Sequence, residues 1–408
     1  MQLAIQVVFW GSMLALLHTY IFYPLLMRFW ARNKRPNSTR FEFDDPELPT
    51  VSVLMSVYNE ELVIAEKLQS LLRLNYPPEK LHIFIGSDCS TDGTNAIIEK
   101  FISQNTEANI HFLAFAQRRG KPPVINELAQ AAGIRRSYGG QTSQPKTLQP
   151  SNPKPIFLLT DASVMLEPDT LFFLVRHFKN ARIGAVDANM RSKGTRETGI
   201  SRSEERYLSG EVLLKHREGL AWGTMIGPFG GCYALRAELF EPIPPHSLVD
   251  DFWLVFRVLE RGFWAINDLN AICYEGATHR VSDEYRRKKR IAAGSFQNLA
   301  RFRRWVLPPV TRLGFAFFSH KVLRWFGGFF LLGMFLSAGW LAWESTFFRA
   351  IFGLMLFGLA GSFLLNRANF PPAKNVAYFL AMNLALTDGF FKWLRGIQEN
   401  TWQRTERT

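Results

Sequence analysis

Residues 156–166 read IFLLTDASVML. Four apolar residues and a threonine run into Asp161, after which the chain turns apolar again. A run this short, with no helical period, reads as a strand buried on both faces. The same pattern occurs upstream as VSVLMSV (51–57) running into Tyr58-Asn59-Glu60, as LHIFIGS (81–87) ending at Asp88, and as IHFLAF (110–115). Helical stretches separate these runs: one reaches about Leu74, one opens at Asp92-Gly93-Thr94 and continues through Phe101, and one covers Lys121 to Ala132. Short apolar strands alternating with helices predict an α/β fold, Rossmann-like, with a mostly parallel sheet. Ligands of such sheets bind beyond the carboxyl ends of the strands. Asn59, Asp88 and Asp161 all fall at those ends, so three strands deliver polar groups to one rim. Residues 137–155 read as a polar surface insertion.

The 408 residues are 47% hydrophobic and 20% charged, which excludes a disordered chain. A net charge of +13 asks for an anionic partner. The basic residues cluster beside apolar stretches, so membrane lipids and a diphosphate are expected as partners and nucleic acid is not. Three scattered cysteines, Cys89, Cys232 and Cys273, argue against a disulfide framework and suit a reducing compartment.

Residues 3–27 contain no Lys, Arg, Asp or Glu and exceed the roughly 20 residues that span a bilayer. Arg28, Arg32, Lys34 and Arg35 follow, so the positive-inside rule places the N-terminus outside and the chain from about residue 30 in the cytosol. Further spans are expected at about 325–343 and 347–365, as a hairpin turning near Glu344. Residues 301–324 alternate cations with Trp305, Phe315, Phe317 and Phe318, the pattern of an interfacial helix. The stretch 376–395 carries Asn383, Asp388, Lys392 and Arg395, and reads as a helix on the cytosolic face rather than a third C-terminal span. The organisation expected is therefore a span over 1–30, a linker over 31–49, a cytosolic domain over 50–300, the interfacial helix 301–324, the hairpin 325–366, the helix 374–398 and a tail over 399–408.

Each chemical motif admits two readings. Asp88 with CSTDGT is either a turn and helix cap or a carboxylate that accepts from a nucleotide base. Asp161 is either a cap or an oxygen ligand for a divalent cation on a diphosphate. Asp250-Asp251 opens an amphipathic helix, where acids suit the helix dipole, and one of them could serve as general base to a hydroxyl. The run Arg286–Arg290 is either a solvated surface or the source of an arginine that clamps a diphosphate. Glycines in GPFGGC (227–232) mark either a tight turn or close backbone approach to a ligand. No HExxH, CxxC pair, Walker A loop or GxSxG occurs, which counts against a zincin, a zinc ribbon, a P-loop ATPase and a serine hydrolase.

The order SVYNE, SDCSTDGT, GKPPVIN, TDAS, GGCYALR, VDDFWLVFRVLERG and RRKKRIAAG resembles the membrane-bound family 2 glycosyltransferases, which include cellulose, chitin, hyaluronan and poly-N-acetylglucosamine synthases. The resemblance covers about residues 50–408 and implies a GT-A catalytic domain with transmembrane and interfacial helices. It implies that Tyr58, Glu60, Asp88 and Lys121 surround the nucleotide of a UDP-sugar. It places Asp161, with Ser163 nearby, at the metal and diphosphate, the metal being Mg2+ or Mn2+. Gly231, Cys232, Tyr233 and Asp250 fall by the acceptor, and Asp251 is the matching base. Arg290 matches the arginine of the family's QxxRW motif, and Trp402, Thr405 and Arg407 match its gating segment. Three positions depart from the family: Ser163 stands for a second aspartate, Val249-Asp250-Asp251 for Thr-Glu-Asp, and Ile291 for the tryptophan after Arg290.

The function so implied is inverting transfer of a sugar from a UDP-sugar to a hydroxyl of a growing polysaccharide. The alternative is a single addition to a lipid-linked acceptor, which the missing tryptophan favours. A nucleotide-binding scaffold or transporter is the rival from another class, but it has no use for Asp251 and Arg290 at family spacing. The resemblance further implies a multi-pass protein of a bacterial-type inner membrane, its catalytic domain cytosolic, with accessory secretion proteins as partners.

Overall fold

The computed structural model describes residues 1–133, 154–193, 200–276, 281–367 and 371–397. The expected insertion over 137–155 lies almost wholly outside them, and Trp402, Thr405 and Arg407 lie wholly outside. The chain forms two compact units. One is built from Met1–Phe29, Thr195–Tyr207 and Thr278–Gly396, and the other chiefly from Trp30–Gly194 and Leu208–Ala277.

The second unit holds one eight-stranded sheet. Its strands are β1 (Val51–Val57), β2 (Leu81–Ser87), β3 (Ile110–Ala114), β4 (Ile156–Thr160), β5 (Val164–Leu166), β6 (Ile183–Lys193), β7 (Cys232–Arg236) and β8 (Trp264–Gly276), in the spatial order β3-β2-β1-β4-β7-β6-β8-β5. The first four strands are parallel, as their unbroken apolar runs predict. β4 is buried at every residue, so both faces of the sheet are covered there. β7 runs against both of its neighbours, and Cys232 pairs with Thr160 across the β4 ladder. The reversal brings the beginning of β7 to the rim where the parallel strands end. GGCYALR is thus glycine turn and strand together.

The helix Ile64–Leu72 buries Ile64, Lys67, Leu68 and Leu71, one stripe at helical spacing. The helix Lys121–Ala131 starts after Gly120, whose φ of 84° lies in the left-handed region that glycine enters without strain. The helix Asp250–Glu260 turns Phe252, Val255, Phe256 and Leu259 inward and keeps its two acids in the first turn.

In the other unit, Gln2–Ala31 is one helical run of 30 residues, long and apolar enough to cross a membrane. Much of its surface is outward-facing apolar side chain, including Leu3, Val7, Leu14, Leu25 and Phe29. Phe9 packs with Ala338, Leu341 and Phe348 in a small core. The expected interfacial helix 301–324 is not a single helix. The helix Val281–Arg301 ends first, Pro308-Pro309 interrupts, and a new helical run starts at Arg312, where Thr311 caps the N–H of Gly314 at 2.9 Å. The run Arg312–Trp325 meets Gly327–Leu341 at 61°. The pair is apolar enough to cross only as one bent span, and Gly327–Leu341 alone is 15 residues long. Among the described residues there are thus one or at most two helical runs long and apolar enough to span, which does not support the expected multi-pass arrangement. Of the polar residues that made 376–395 ambiguous, Asp388 is partnered within the unit: on the helix Pro371–Leu394, it accepts from the Tyr285 hydroxyl at 2.8 Å and pairs with Lys289 at 3.2 Å.

Candidate active site

The rim begins where β1 and β2 end. Asn59 (φ 52°) and Cys89 (φ 60°) both take the left-handed conformation that non-glycine residues rarely adopt, one just beyond each strand. Side chains of each turn satisfy the backbone of the other. Asn59 N–H donates to Ser90 Oγ, Thr91 N–H to Asn59 Oδ1, and Glu60 N–H to Thr94 Oγ1, at 3.1, 2.8 and 2.8 Å. Just before the helix Thr94–Gln104, the acid that serves the helix start is Asp92, whose Oδ1 accepts from Thr94 N–H at 3.0 Å. That leaves Asp88 for other work. It is buried, and its two oxygens accept the backbone N–H groups of Arg119 and Gly120 at 2.7 and 2.8 Å. Asp88 therefore holds the loop that launches Lys121, and the Arg118 guanidinium lies 3.6 Å over the Tyr58 ring beside it.

Lys121 Nζ donates to Asp161 Oδ1 at 2.7 Å and stands 3.7 Å from Asp250 Oδ2. Burial opposes its charge, but Asp161, Asp250 and Asp251 more than offset that, and its pKa lies above the ordinary lysine value. Asp251 is in the opposite position. Burial, then the charge of Asp250, pushes its carboxyl up to about 7, despite the Phe252 backbone N–H and Lys121. Gly230 abuts this carboxylate so closely that a Cβ there would lie 2.7 Å from Asp251 Oδ2. The glycine makes room for the carboxylate itself.

Tyr233 lies fully buried, and its hydroxyl has no hydrogen-bond partner among the described residues. Burial and the charges of Asp250, Asp251, Asp161 and Asp187 raise its pKa well above the ordinary phenol, so it stays an O–H donor. Gly231 and Cys232 form the edge of the rim: Asp161 N–H donates to the Gly231 carbonyl at 3.1 Å, and Cys232 is buried.

Three charged residues here escape motif reading. Asp187 on β6 is fully buried; its Oδ1 accepts the Phe229 N–H at 2.7 Å, and its Oδ2 accepts from Lys215 Nζ at 2.5 Å. This pair fixes the GPFGG segment from below. Lys67, on the helix Ile64–Leu72, is the third, with Nζ 2.7 Å from Thr160 Oγ1. The signal for the lysines was available: each occupies a buried position of its helix stripe.

The structure thus brings together Lys121, Asp161, Asp250, Asp251, Gly231, Cys232 and Tyr233 at the rim, with Ser163 two residues past Asp161 and the Tyr58, Glu60 and Asp88 turns at the ends of β1 and β2. Arg290 lies on the helix Val281–Arg301, in the other unit. Much of the cation run around it is paired along its own helix, Arg286 with Asp283 and Lys288 with Glu284, at 2.5 and 3.4 Å.

Among the described residues no three His, Cys, Asp or Glu side chains converge as a closed metal cluster. The donor set nevertheless fits a hard cation that shares its shell with a ligand. Asp161, Asp250 and Asp251 crowd one lysine, and burial, then the Asp250 charge, raises the Asp251 carboxyl.

Residues 52–243 match the family described as glycosyl transferase family 2. This stretch is a family 2 glycosyltransferase domain. The family 2 domain and its flanks are 26% identical over 319 residues to a beta-monoglucosyldiacylglycerol synthase of Nostoc, covering 76% of this chain and 62% of that protein. The chain therefore spans less than two thirds of that relative's length. It is 24% identical over 396 residues to the probable glycosyltransferase YdaM of Bacillus subtilis, covering 88% of this chain and 87% of that one. It is 26% identical over 275 residues to a poly-beta-1,6-N-acetyl-D-glucosamine synthase of Staphylococcus aureus, covering 67% of this chain and 60% of that one. Among solved structures, a mannosyltransferase of Pyrobaculum calidifontis in complex with GDP-Man and Mn2+ shares the GT-A-like fold, with a TM-score of 0.69 at 20% identity over 96% of this chain and 97% of that one.

Proposed function

We propose that this chain is an inverting glycosyltransferase that moves a sugar from a UDP-sugar to a hydroxyl of a membrane lipid. The observation that supports the chemistry best is the Asp251 carboxyl, raised to about 7 beside the Lys121–Asp161 pair. A base poised near neutral pH is suited to taking a proton from a hydroxyl as that oxygen attacks. Asp251 takes the acceptor proton, the oxygen bonds to the anomeric carbon, and the bond to the UDP oxygen breaks on the opposite face. One displacement inverts the configuration. Lys121, held charged, faces the departing diphosphate, and the Asp88-bound loop sets its position. A divalent cation, Mg2+ or Mn2+, held by Asp161 with Ser163 near, would supply further positive charge to the diphosphate when bound. Arg290 and the segment with Trp402, Thr405 and Arg407 are assigned to the diphosphate by resemblance alone.

The lipid acceptor is favoured by the likeness, over 76% of the chain, to proteins named for a glucosyldiacylglycerol product, and by the apolar helix Gln2–Ala31 that suits a membrane anchor. A second reading, extension of a polysaccharide, draws on the likeness to poly-N-acetylglucosamine synthases over 67% of the chain. The test is a donor screen of the purified full chain with Mn2+ and vesicles containing diacylglycerol, followed by mass spectrometry. A single glycosyl-lipid product is expected. A ladder of oligosaccharides would establish the second reading, GDP release in place of UDP would overturn the donor, and no nucleotide release with any donor, with or without the vesicles, would refute the transferase.

A further inference from the structure

Lys67 is fully buried, on the apolar stripe of the helix Ile64–Leu72, with no carboxylate bound to it among the described residues. Its ammonium donates to Thr160 Oγ1 at 2.7 Å and to the Val164 carbonyl at 2.5 Å. These two acceptors are the residue before Asp161 and the residue after Ser163. The cation therefore grips the Asp161–Ser163 turn at both ends from beneath. The Thr160 hydroxyl in turn donates to the Gly231 carbonyl at 3.0 Å, and that same carbonyl accepts the Asp161 N–H.

A buried cation without a carboxylate partner is costly, and burial lowers the Lys67 pKa to about 8. An apolar side chain of similar length would fill the stripe at less cost. Retention of the charge at such a site points to a task other than packing. We propose that Lys67 is a positioning residue for sugar transfer: it fixes the turn carrying Asp161 and, through Thr160, locks that turn to Gly231 on the acceptor side. The inference rests on the transferase reading above. It adds that the diphosphate side and the acceptor side of the rim are held in register by one buried ammonium. Displacements of about 1 Å at such sites cost on the order of a hundredfold in rate.

The test compares wild type, Lys67→Met and Thr160→Val as full chains in detergent. Three quantities are read: thermal midpoint, UDP affinity by calorimetry with and without Mn2+, and kcat and KM with the UDP-sugar the wild type turns over. Lys67→Met is expected to keep its midpoint within a few degrees, to weaken UDP binding about tenfold in Mn2+, and to lower kcat/KM about a hundredfold. Thr160→Val, which keeps Lys67 on Val164 but removes the hydroxyl through which it reaches Gly231, is expected to spare UDP binding and lower kcat. A folded Lys67→Met protein with wild-type UDP affinity and kcat/KM overturns the proposal, as does a loss of activity no larger than the loss of folded protein. If Lys67→Met does not fold, Thr160→Val decides: unchanged kcat overturns the link and reduced kcat at unchanged KM supports it. A wild type that neither binds UDP nor releases it refutes the transferase reading instead, and this inference with it.

Discussion

Replacing Asp251 by asparagine removes a charge that the fold pays to keep. The carboxyl sits at about 7 in the native chain against an ordinary 3.8, and at about 1.4 kcal/mol per pH unit the gap comes to about 4 kcal/mol. The sign follows from the direction of the shift. A carboxyl with a raised native pKa costs nothing below the unfolded value, becomes more costly as pH rises from about 4 to about 7, and costs a constant amount above that. Asp251→Asn is therefore expected to be more stable than wild type, with the advantage at pH 8 larger than at pH 5 by about 2–3 kcal/mol as an upper bound. At about 2–4 °C per kcal/mol for a domain of this size, the melting advantage should widen by roughly 5–10 °C between the two pH values. The assay is differential scanning fluorimetry of both proteins across pH 5–8 in EDTA, paired with UDP release. The variant should lose about 10²–10⁴ in kcat while it keeps UDP affinity. An advantage of equal size at pH 5 and pH 8 would refute the reasoning, because the titrating group in that window would not be Asp251. Normal turnover by Asp251→Asn would refute its role as base.

Four further outcomes follow from the same geometry. Lys121→Met removes a cation that holds the Asp251 carboxyl down, so the rising limb of the pH–rate profile should move to higher pH as well as fall in height. Gly230→Ala puts a methyl 2.7 Å from Asp251 Oδ2, and should cut kcat at least tenfold with UDP affinity intact by calorimetry. Lys215→Met strands the buried Asp187 charge and should cost about 3–5 kcal/mol in chemical denaturation, most of it recovered in the double variant with Asp187→Asn. Asp88→Asn turns one acceptor oxygen into a donor against the N–H of Arg119 or Gly120, which should weaken UDP binding by at least tenfold while the far-ultraviolet circular dichroism stays unchanged.

The parallel half of the sheet was legible because its strands are short apolar runs between helical stretches, and the rim followed from the ends of those runs. β7 was hidden because its glycines argue for a turn while its next five residues are a buried strand. β6 and β8 were hidden because IGAVDANMRSK and WAINDLNAICYEG mix buried polar residues, such as Asp187 and Asn267, into their apolar pattern. Asp88 was legible as important but not in its task, since only the fold brings the Arg119–Gly120 backbone to it. Lys67 and Lys215 were passed over because lysine on a helix ordinarily faces water. Their place on the apolar stripe was the contrary sign. In the other unit, composition located the apolar stretches, but not that Arg312–Trp325 bends into Gly327–Leu341, because hydropathy carries no signal for the break at Phe326.

The reversal of β7 has a consequence for how such a chain diversifies. Tyr58, Asp88 and Asp161, the residues proposed to face the donor, follow strands that climb to the rim. The glycine segment before Cys232 arrives on one that descends from it. The loop from Trp222 to Gly231 is tied to β8 through the backbone of Gly223 and Met225 on Ala265, and to β6 through the Phe229 N–H on Asp187. These anchors lie on β6 and β8, away from β1 and β2. Under the proposed roles, recipient and donor groups come from different parts of the polypeptide, and an exchange of the exposed loop side chains between relatives should alter the choice of recipient and leave the donor in place.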